Sequence, residues 1–373
     1  MQNSLEVIVC GHLCLDLFPH MENVSAKAML VPGQLLEIGP LKYSTGGPVS
    51  NTGLALHRLG VKAGLMATVG DDLIGQTILD ALKANDPSLT QYISVKHGQA
   101  GSYSLVLSLE RSDRTFLHCT GTNSTYGPDD IDYASLANAK IFHFGYPPLL
   151  PGFVKNNGQG LTEVFQRAKA TGIATSLDMT LPDPHSDTGR ADWRYILTRT
   201  LPYVDIFLPT IDEILFMLRR DDYERWHGHI LENVSTAYLS DLTGELLDMG
   251  AVIAGIKLGQ MGLYLKTGAA QQFDRLKTLP LDISAWANVE HWQAAFQVEV
   301  VGTTGAGDSA YAGFLASLLR GFGPEDALRW ACAVGACNVE AADSISGVRT
   351  WQETEQRLAA GWPLRPDRPG TWH

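Results

Sequence analysis

Short, continuously apolar segments alternate along this chain with segments of helical periodicity. Such alternation is typical of strands that are buried on both faces of a parallel sheet and joined by helices. It predicts an α/β fold with a doubly wound, mostly parallel sheet and helices on both faces. The apolar segments are 7–11, 64–69, 141–145, 173–178, 204–209 and 251–257. The helical segments between the first strands are 53–59, 73–82 and 161–170.

Two regions interrupt this alternation. Segments 30–43 and 102–118 contain strand-like pieces with no clear helix between them. In the second segment, Tyr103, Leu105 and Leu107 alternate with smaller or polar residues, as in a half-buried strand. Both regions are therefore predicted to form hairpins outside the main sheet.

Composition limits the class of protein. The 373 residues are 45% hydrophobic and carry a net charge of −12, so a large core is expected and a nucleic-acid partner is not. No apolar stretch of about 20 residues is present, and the first residues lack a basic start, so we expect a cytoplasmic protein without a membrane span. Five cysteines without a C-x-x-C spacing are predicted to be buried thiols.

Residues 302–309 read Gly-Thr-Thr-Gly-Ala-Gly-Asp-Ser, between a strand predicted to end at Val300–Val301 and a predicted helix. A helix that begins in glycines offers backbone N–H groups to an anion. The spacing is close to that of a P-loop, but Asp308 replaces the lysine and would repel phosphate. Asp308 is therefore either a helix N-cap or a base that takes a proton from a substrate, and the motif alone leaves both open.

With the following Ala-Tyr-Ala-Gly-Phe at 310–314, this run resembles the second signature of the ribokinase-like (PfkB) carbohydrate kinases. The resemblance implies that Asp308 is the general base toward a sugar hydroxyl. It also implies a single ribokinase-like domain over 1–360, with a small β-sheet lid whose strands come from about 12–45 and 100–120. The amides that would form the anion hole for the transferring phosphoryl group are those of Gly305, Ala306 and Gly307.

Two earlier motifs are similar to the substrate-binding elements of that family. One is Gly-His-Leu-Cys-Leu-Asp at 11–16, and the other is Gly-Gly-Pro-Val-Ser-Asn at 46–51. Taken alone, the second would equally suit a glycine turn with a capping asparagine. The residues that the resemblance assigns to sugar hydroxyls are Asp16, Gly46, Gly47 and Asn51.

Two later motifs resemble the nucleotide and magnesium elements. Pro-Thr-Ile-Asp-Glu at 209–213 matches an Asn-x-x-Glu element through Glu213, which would position magnesium, but Thr210 replaces the asparagine. A helix N-terminus with acidic residues is the plainer interpretation of this stretch. Lys-Leu-Gly-Gln-Met-Gly at 257–262 is similar to the family's nucleotide loop, and a small-residue helix follows later. The residues assigned to ATP are Lys257, Gly259, Gly262 and Asn338.

Other features depart from the family pattern. Gly302 occupies the place of an aspartate that helps to bind a monovalent cation in the family, so the sequence leaves open whether such a cation binds. Segment 264–297 is longer than the resemblance requires and is predicted to be an insertion. Segment 361–373 is predicted to be a C-terminal tail.

The sequence thus predicts ATP-dependent transfer of a phosphoryl group to a hydroxyl of a sugar or sugar-like substrate, with Mg²⁺ as cofactor. A nucleoside kinase of the same superfamily and a catalytically weak sugar- or nucleotide-binding relative stay open as alternatives. A dinucleotide oxidoreductase is disfavoured, because no G-x-G-x-x-G follows the first strand. A homodimer formed through the lid is the expected assembly.

Overall fold

Two β-sheets organise the chain, whose computed structural model describes residues 5–21, 24–108 and 115–366. One sheet has nine strands and the other has four. The strands are β1 (Val7–Gly11), β2 (Cys14–Pro19), β3 (Leu41–Gly46), β4 (Ala63–Gly70), β5 (Tyr92–Lys96), β6 (Tyr103–Leu107), β7 (Thr115–Cys119), β8 (Ile141–Gly145), β9 (Ala174–Asp178), β10 (Ile206–Phe207), β11 (Ile253–Lys257), β12 (Leu263–Thr267) and β13 (Glu290–Gln293).

Helices connect most of the strands of the large sheet, and several begin with a side-chain cap. Asp72, for example, accepts a hydrogen bond from the Gly75 N–H at the start of the helix that follows β4. The helices are α1 (Ala26–Met29), α2 (Pro48–Arg58), α3 (Leu73–Asn85), α4 (Tyr133–Leu136), α5 (Pro151–Ala170), α6 (Trp193–Thr200), α7 (Ile211–Leu218), α8 (Arg220–Arg225), α9 (Ile230–Asn233), α10 (Thr236–Asp248), α11 (Ile283–Trp286), α12 (Ala306–Leu319), α13 (Pro324–Asn338) and α14 (Trp351–Ala359).

The large sheet has the strand order β13-β12-β11-β10-β9-β8-β1-β4-β5, and every pairing except those made by β12 is parallel. Neighbouring residues of β1 enter different cores, since Val7 and Val9 lie in one hydrophobic cluster and Ile8 and Cys10 in the other. Helices therefore cover both faces, and the doubly wound α/β fold that the sequence predicts is confirmed.

The four-stranded sheet has the order β3-β2-β6-β7. Its register places Tyr43 beside Leu17, Leu17 beside Leu105 and Leu105 beside Leu117, so these apolar residues share one face. The neighbouring residue on each of these strands lies on the opposite face. These neighbours are polar and form a row that crosses the sheet. That polar row consists of Ser44, Asp16, Ser104 and His118.

The prediction of a strand that ends at Val300–Val301 is wrong. Both valines are exposed and lie in irregular chain, where the Val301 N–H donates to the Val339 carbonyl instead of to a sheet neighbour. Two β-branched residues gave a strand signal that tertiary context overrides, because no strand edge lies beside them.

Segment 264–297 contributes to the large sheet, through most of β12 and all of β13. Its Trp286 is fully buried in the core, where its indole N–H donates to the Phe322 carbonyl. Whether this segment is an insertion stays a prediction. Of the predicted tail, 361–366 is described, and Trp362 stacks on Phe296 with ring centroids 4.6 Å apart, whereas 367–373 lie outside the described residues.

The five cysteines are free thiols, and only Cys119 is partly exposed. Among the described helices, none combines the length and apolarity needed to cross a bilayer.

Candidate active site

The carboxyl ends of the parallel strands meet at one edge of the large sheet, which is where ligands bind in open α/β folds. Helix α12 begins at this edge. Its N-cap is Gly305, which has a left-handed backbone (φ 73°, ψ 4°) and lies so close to Ser344 that a Cβ would be 2.5 Å from the Ser344 carbonyl oxygen. Only glycine suits that position, and the turn it makes brings Asp308 into the first turn of the helix.

Asp308 is buried and held by three donors. Its Oδ2 accepts hydrogen bonds of 2.9 Å from the Asn51 amide and the Tyr146 hydroxyl, and its Oδ1 lies 3.4 Å from the Thr52 hydroxyl. Burial raises the pKa of Asp308 to about 6, helped by the charge of Asp178. A carboxyl group with this pKa is mostly ionised at neutral pH and can accept a proton.

The first amides of α12 are available to an anion. Within the described residues, the N–H groups of Gly305 and Gly307 have no acceptor in the protein, whereas that of Ala306 donates to the Thr303 carbonyl at 3.3 Å. Of the three amides predicted to form the anion hole, those of Gly305 and Gly307 are therefore free, whereas the amide of Ala306 is used in the hydrogen bond of the turn.

A buried cation lies beside those amides. Lys257, the last residue of β11, forms an ion pair of 2.7 Å with Asp178, the last residue of β9. A Cβ on Gly307 would lie only 3.4 Å from the Lys257 ammonium nitrogen. Burial alone would lower the pKa of Lys257, but Asp178, Glu213 and Asp308 raise it above its usual value, so the ammonium stays charged.

Glu213 has the helix-terminus role that the sequence allowed, and its role toward magnesium stays a prediction. It forms a capping box with Thr210 at the start of α7, in which the Thr210 N–H donates to Glu213 Oε2 at 2.7 Å. Burial raises the pKa of Glu213 to about 8, with Lys257 opposing the shift. The threonine that replaces the family's asparagine is thus the helix cap itself.

The polar row of the small sheet faces a second group of buried side chains. His118 lies 5.2 Å from the ring of His12, and His12 in turn lies 6.4 Å from the ring of Tyr146. Both nitrogens of the buried His12 ring lack a partner within the described part of the chain, and burial lowers the pKa of His12 to about 3. A neutral imidazole with unused donor and acceptor suits an uncharged polar ligand.

The predicted substrate residues lie together in this region. A Cβ on Gly46 would be 2.1 Å from a carboxylate oxygen of Asp16, and burial raises the pKa of that carboxyl group. Gly47 has φ 83° and contacts the His12 backbone in the same way, which brings α2 and its Asn51 against Asp308.

A cleft of about 660 Å³ opens on the other side of the α12 turn. Its lining includes Lys257, Gly259, Gly262 and Gly307 among the sequence-predicted residues, with apolar walls from Leu263 and Phe296 among others. The ammonium group and the free amides therefore lie where this cleft meets Asp308.

Asn338 and Gly302 have surroundings that the sequence did not predict. Asn338 is not among the residues that line the cleft, and its amide donates to the Thr304 carbonyl at 2.9 Å, so it holds the turn before α12 instead. A Cβ on Gly302 would lie 2.8 Å from the Ala341 carbonyl oxygen, so this backbone leaves no room for the aspartate found there in the family.

Sequence reasoning missed three residues of the site. Asp178 ends an apolar strand, so the general position of ligands at strand ends was a usable signal for it. Tyr146 and His12 also follow strand ends, but no spacing marks them, because their partners come from distant parts of the chain.

A buried carboxylate, a helix start with free amides and a fixed cation lie close together beside one cleft, an arrangement that suits an enzyme that moves an anionic group onto a small molecule. Comparison of the chain with known protein families agrees with this class of enzyme. The family model of the pfkB family carbohydrate kinases matches residues 4–351, and the chain belongs to that family. The kinase class and the family that the sequence predicts are confirmed.

Relatives and solved structures extend over most of the chain. An uncharacterized sugar kinase of Archaeoglobus fulgidus is 28% identical over 77% of this chain and 95% of its own length. The 2-dehydro-3-deoxygluconokinase of Bacillus subtilis is 25% identical over 88% of this chain and 90% of its own. The structure of Arabidopsis thaliana ribokinase complexed with ribose and ATP has a TM-score of 0.72 at 18% identity, covering 95% of this chain and 99% of that one.

Proposed function

We propose that this protein transfers the γ-phosphoryl group of ATP to a hydroxyl group of a sugar or sugar-like acceptor, with Asp308 as the general base. The observation that carries the proposal is the position of Asp308. Its carboxylate accepts hydrogen bonds from Asn51 and Tyr146, and it lies in the same helical turn as the amides and beside the ammonium group that border the cleft.

In this reaction the acceptor lies between Asp308 and the polar row of the small sheet, and ATP lies in the cleft. The acceptor O–H bond breaks as its oxygen bonds to the γ-phosphorus, the bond from that phosphorus to ADP breaks, and the proton stays on Asp308. Because such transition states are loose, positioning and electrostatics supply most of the catalysis. Lys257 and the amides of Gly305 and Gly307 stabilise the charge of the transferring group.

The residues present fit a magnesium ion bound together with ATP. Asp178 Oδ2 is buried without a partner in the described part of the chain, and Glu213 faces the same charged cluster. Mg²⁺ keeps much of its water and needs only one or two carboxylates, so the absence of any cluster of three metal-binding side chains among the described residues agrees with this assignment. When bound, the ion would neutralise phosphate charge.

The expected assembly is a homodimer through the small sheet, the lid of the sequence-based prediction. The face opposite the polar row is apolar across all four strands, and its outer members Tyr43 and Leu117 are 58% and 51% exposed. An uncharged apolar face of this kind is complementary to a second copy of itself.

The direct test is ADP release in the presence of ATP, Mg²⁺ and single acceptors: ribose, fructose, 2-dehydro-3-deoxygluconate, nucleosides and hexose phosphates. We expect ADP release that depends on a sugar or sugar acid, with a phosphorylated product detected by mass spectrometry. A preference for nucleosides as acceptors would identify the protein as a nucleoside kinase. Binding of ATP and acceptor without any product would identify a non-catalytic relative.

A further inference from the structure

Tyr146 has an unusual backbone for an aromatic residue. It follows the last residue of β8 with φ 61° and ψ 47°, in the left-handed region, which costs a residue with a Cβ about 1–2 kcal/mol. Its N–H donates to the Asp178 carbonyl at 3.1 Å, and its ring stacks beside that of His12, with an angle of 27° between the ring planes and 6.4 Å between the centroids. These contacts hold a conformation that the residue would not adopt alone, and such strain is concentrated at functional positions.

The result of this conformation is a contact with the base. The Tyr146 hydroxyl donates to Oδ2 of Asp308 at 2.9 Å, and the Asn51 amide donates to the same oxygen at the same distance. Among the described residues, the only partner of Oδ1 is the Thr52 hydroxyl at 3.4 Å, which is long for an O–H···O hydrogen bond. The two oxygens of Asp308 are therefore not equivalent: Oδ2 is occupied and Oδ1 is open.

We propose that Tyr146 is a positioning residue for the base: with Asn51 it occupies Oδ2 of Asp308, so that Oδ1 is the atom that receives the acceptor proton. This inference rests on the proposed function, because it requires Asp308 to be the base. It adds a role for a residue that no motif marks. The Tyr146 hydroxyl itself does not react.

Other groups near Asp308 influence its protonation as well. Besides Tyr146, the titratable side chains that act on it are Asp178 at the end of β9 and Lys257 at the end of β11, and Glu213 on α7 lies near Lys257 and Tyr146. Burial and Asp178 raise the pKa of Asp308 to about 6, whereas hydrogen bonds from Asn51 and Tyr146 and the charge of Lys257 lower it. Removing the Tyr146 hydroxyl therefore raises this pKa further, because the charged form loses a donor.

The test is the pH dependence of kcat/KM in Tyr146→Phe, with Tyr126→Phe as the matched control. Tyr126 is fully buried, and its hydroxyl contacts Cys10 Sγ instead of the site. The wild-type kcat/KM should fall as pH drops below about 6, because the base becomes protonated. This fall is the acidic limb of the pH profile. In Tyr146→Phe we expect the acidic limb to shift to higher pH by about half a pH unit to one pH unit, and kcat to fall roughly tenfold or more.

The control variant should keep the wild-type limb and kcat. An acidic limb in Tyr146→Phe that coincides with wild type overturns the inference, whether or not kcat falls, because a purely structural role would leave the limb in place. Failure of the proposed function is separate: it would show as full activity in Asp308→Asn, whatever the behaviour of the tyrosine variant.

Discussion

At the scale of single residues, the site depends on charges that are buried together. Lys257 is enclosed by Asp178, Glu213 and Asp308, and only its direct pair with Asp178 is within hydrogen-bond distance. A cation in such a position stabilises a phosphate strongly, since little water screens its charge. When the cation is removed, the carboxyl groups around it lose the charge that compensates theirs.

Replacing Lys257 by methionine is expected to remove most of the kinase activity and to lower the free energy of unfolding by about 3–5 kcal/mol, because Asp178 would be buried without its ion-pair partner. The double variant Lys257→Met, Asp178→Asn should regain stability and stay inactive. Urea denaturation and ADP release measure the two effects. A stable and active Lys257→Met variant would exclude a phosphate-binding role for the lysine.

At the scale of elements, the start of α12 brings the amides of the proposed anion hole and the proposed base, Asp308, together in one helical turn. Two glycines in this turn meet different surroundings. Gly305 has a left-handed backbone against the Ser344 carbonyl, whereas Gly307 lies inside the helix, where a Cβ would contact only the Lys257 side chain. The first glycine is required by the fold, and the second leaves space in front of the ammonium group.

Alanine at these two positions should therefore give opposite results. We expect Gly305→Ala to destabilise the protein by about 1–3 kcal/mol, because it forces a strained backbone and a clash. Gly307→Ala should melt at or above the wild-type temperature, since alanine favours helix, yet lose roughly tenfold or more in kcat/KM. Gly244→Ala in α10, where a Cβ has room, is the control. An active Gly307→Ala variant would show that the space beside Lys257 is not used.

The sequence was most informative where an element is buried on both sides. Six strands of the large sheet follow from apolar periodicity, namely β1, β4, β8, β9, β10 and β11, and so do the helices α2, α3 and α5, with ends displaced by a few residues or, for α2 and α5, a whole turn or more. Strand β5 and the helices between β9 and β11 were not predicted. Val300–Val301 misled this reasoning because propensity ignores whether a partner strand is near. The motif singled out Asp308, but Tyr146 contacts it from 162 positions away in the chain, a pairing that local pattern does not encode.

At the scale of the whole molecule, the small sheet presents two unlike faces. Asp16 and the other polar residues lie on one face, which is the face proposed to meet the acceptor, whereas Leu17, Leu105 and the exposed Tyr43 and Leu117 lie on the opposite face. One sheet can thus close the pocket on one side and bind a second copy of the chain on the other.

A lysine in place of Tyr43 should convert the expected dimer into a monomer, because a charge is costly to bury in an apolar interface. Sedimentation velocity at micromolar concentration measures this change. The control is Leu73→Lys, at a residue that is 80% exposed at the start of α3 and lies outside the small sheet. A wild-type monomer, or a Tyr43→Lys variant that stays dimeric, would contradict dimerisation through this face.

The central claim is that Asp308 takes the proton of the acceptor hydroxyl, and the turnover of Asp308→Asn tests it most directly. Asparagine keeps the shape of the side chain but cannot serve as the base. With the best acceptor from the panel, we expect kcat to fall about a hundredfold to ten-thousandfold while the variant still folds and binds ATP. Asp326→Asn, the same change in the exposed first turn of α13, should leave kcat unchanged. An Asp308→Asn variant with a kcat within a few-fold of wild type would contradict the account.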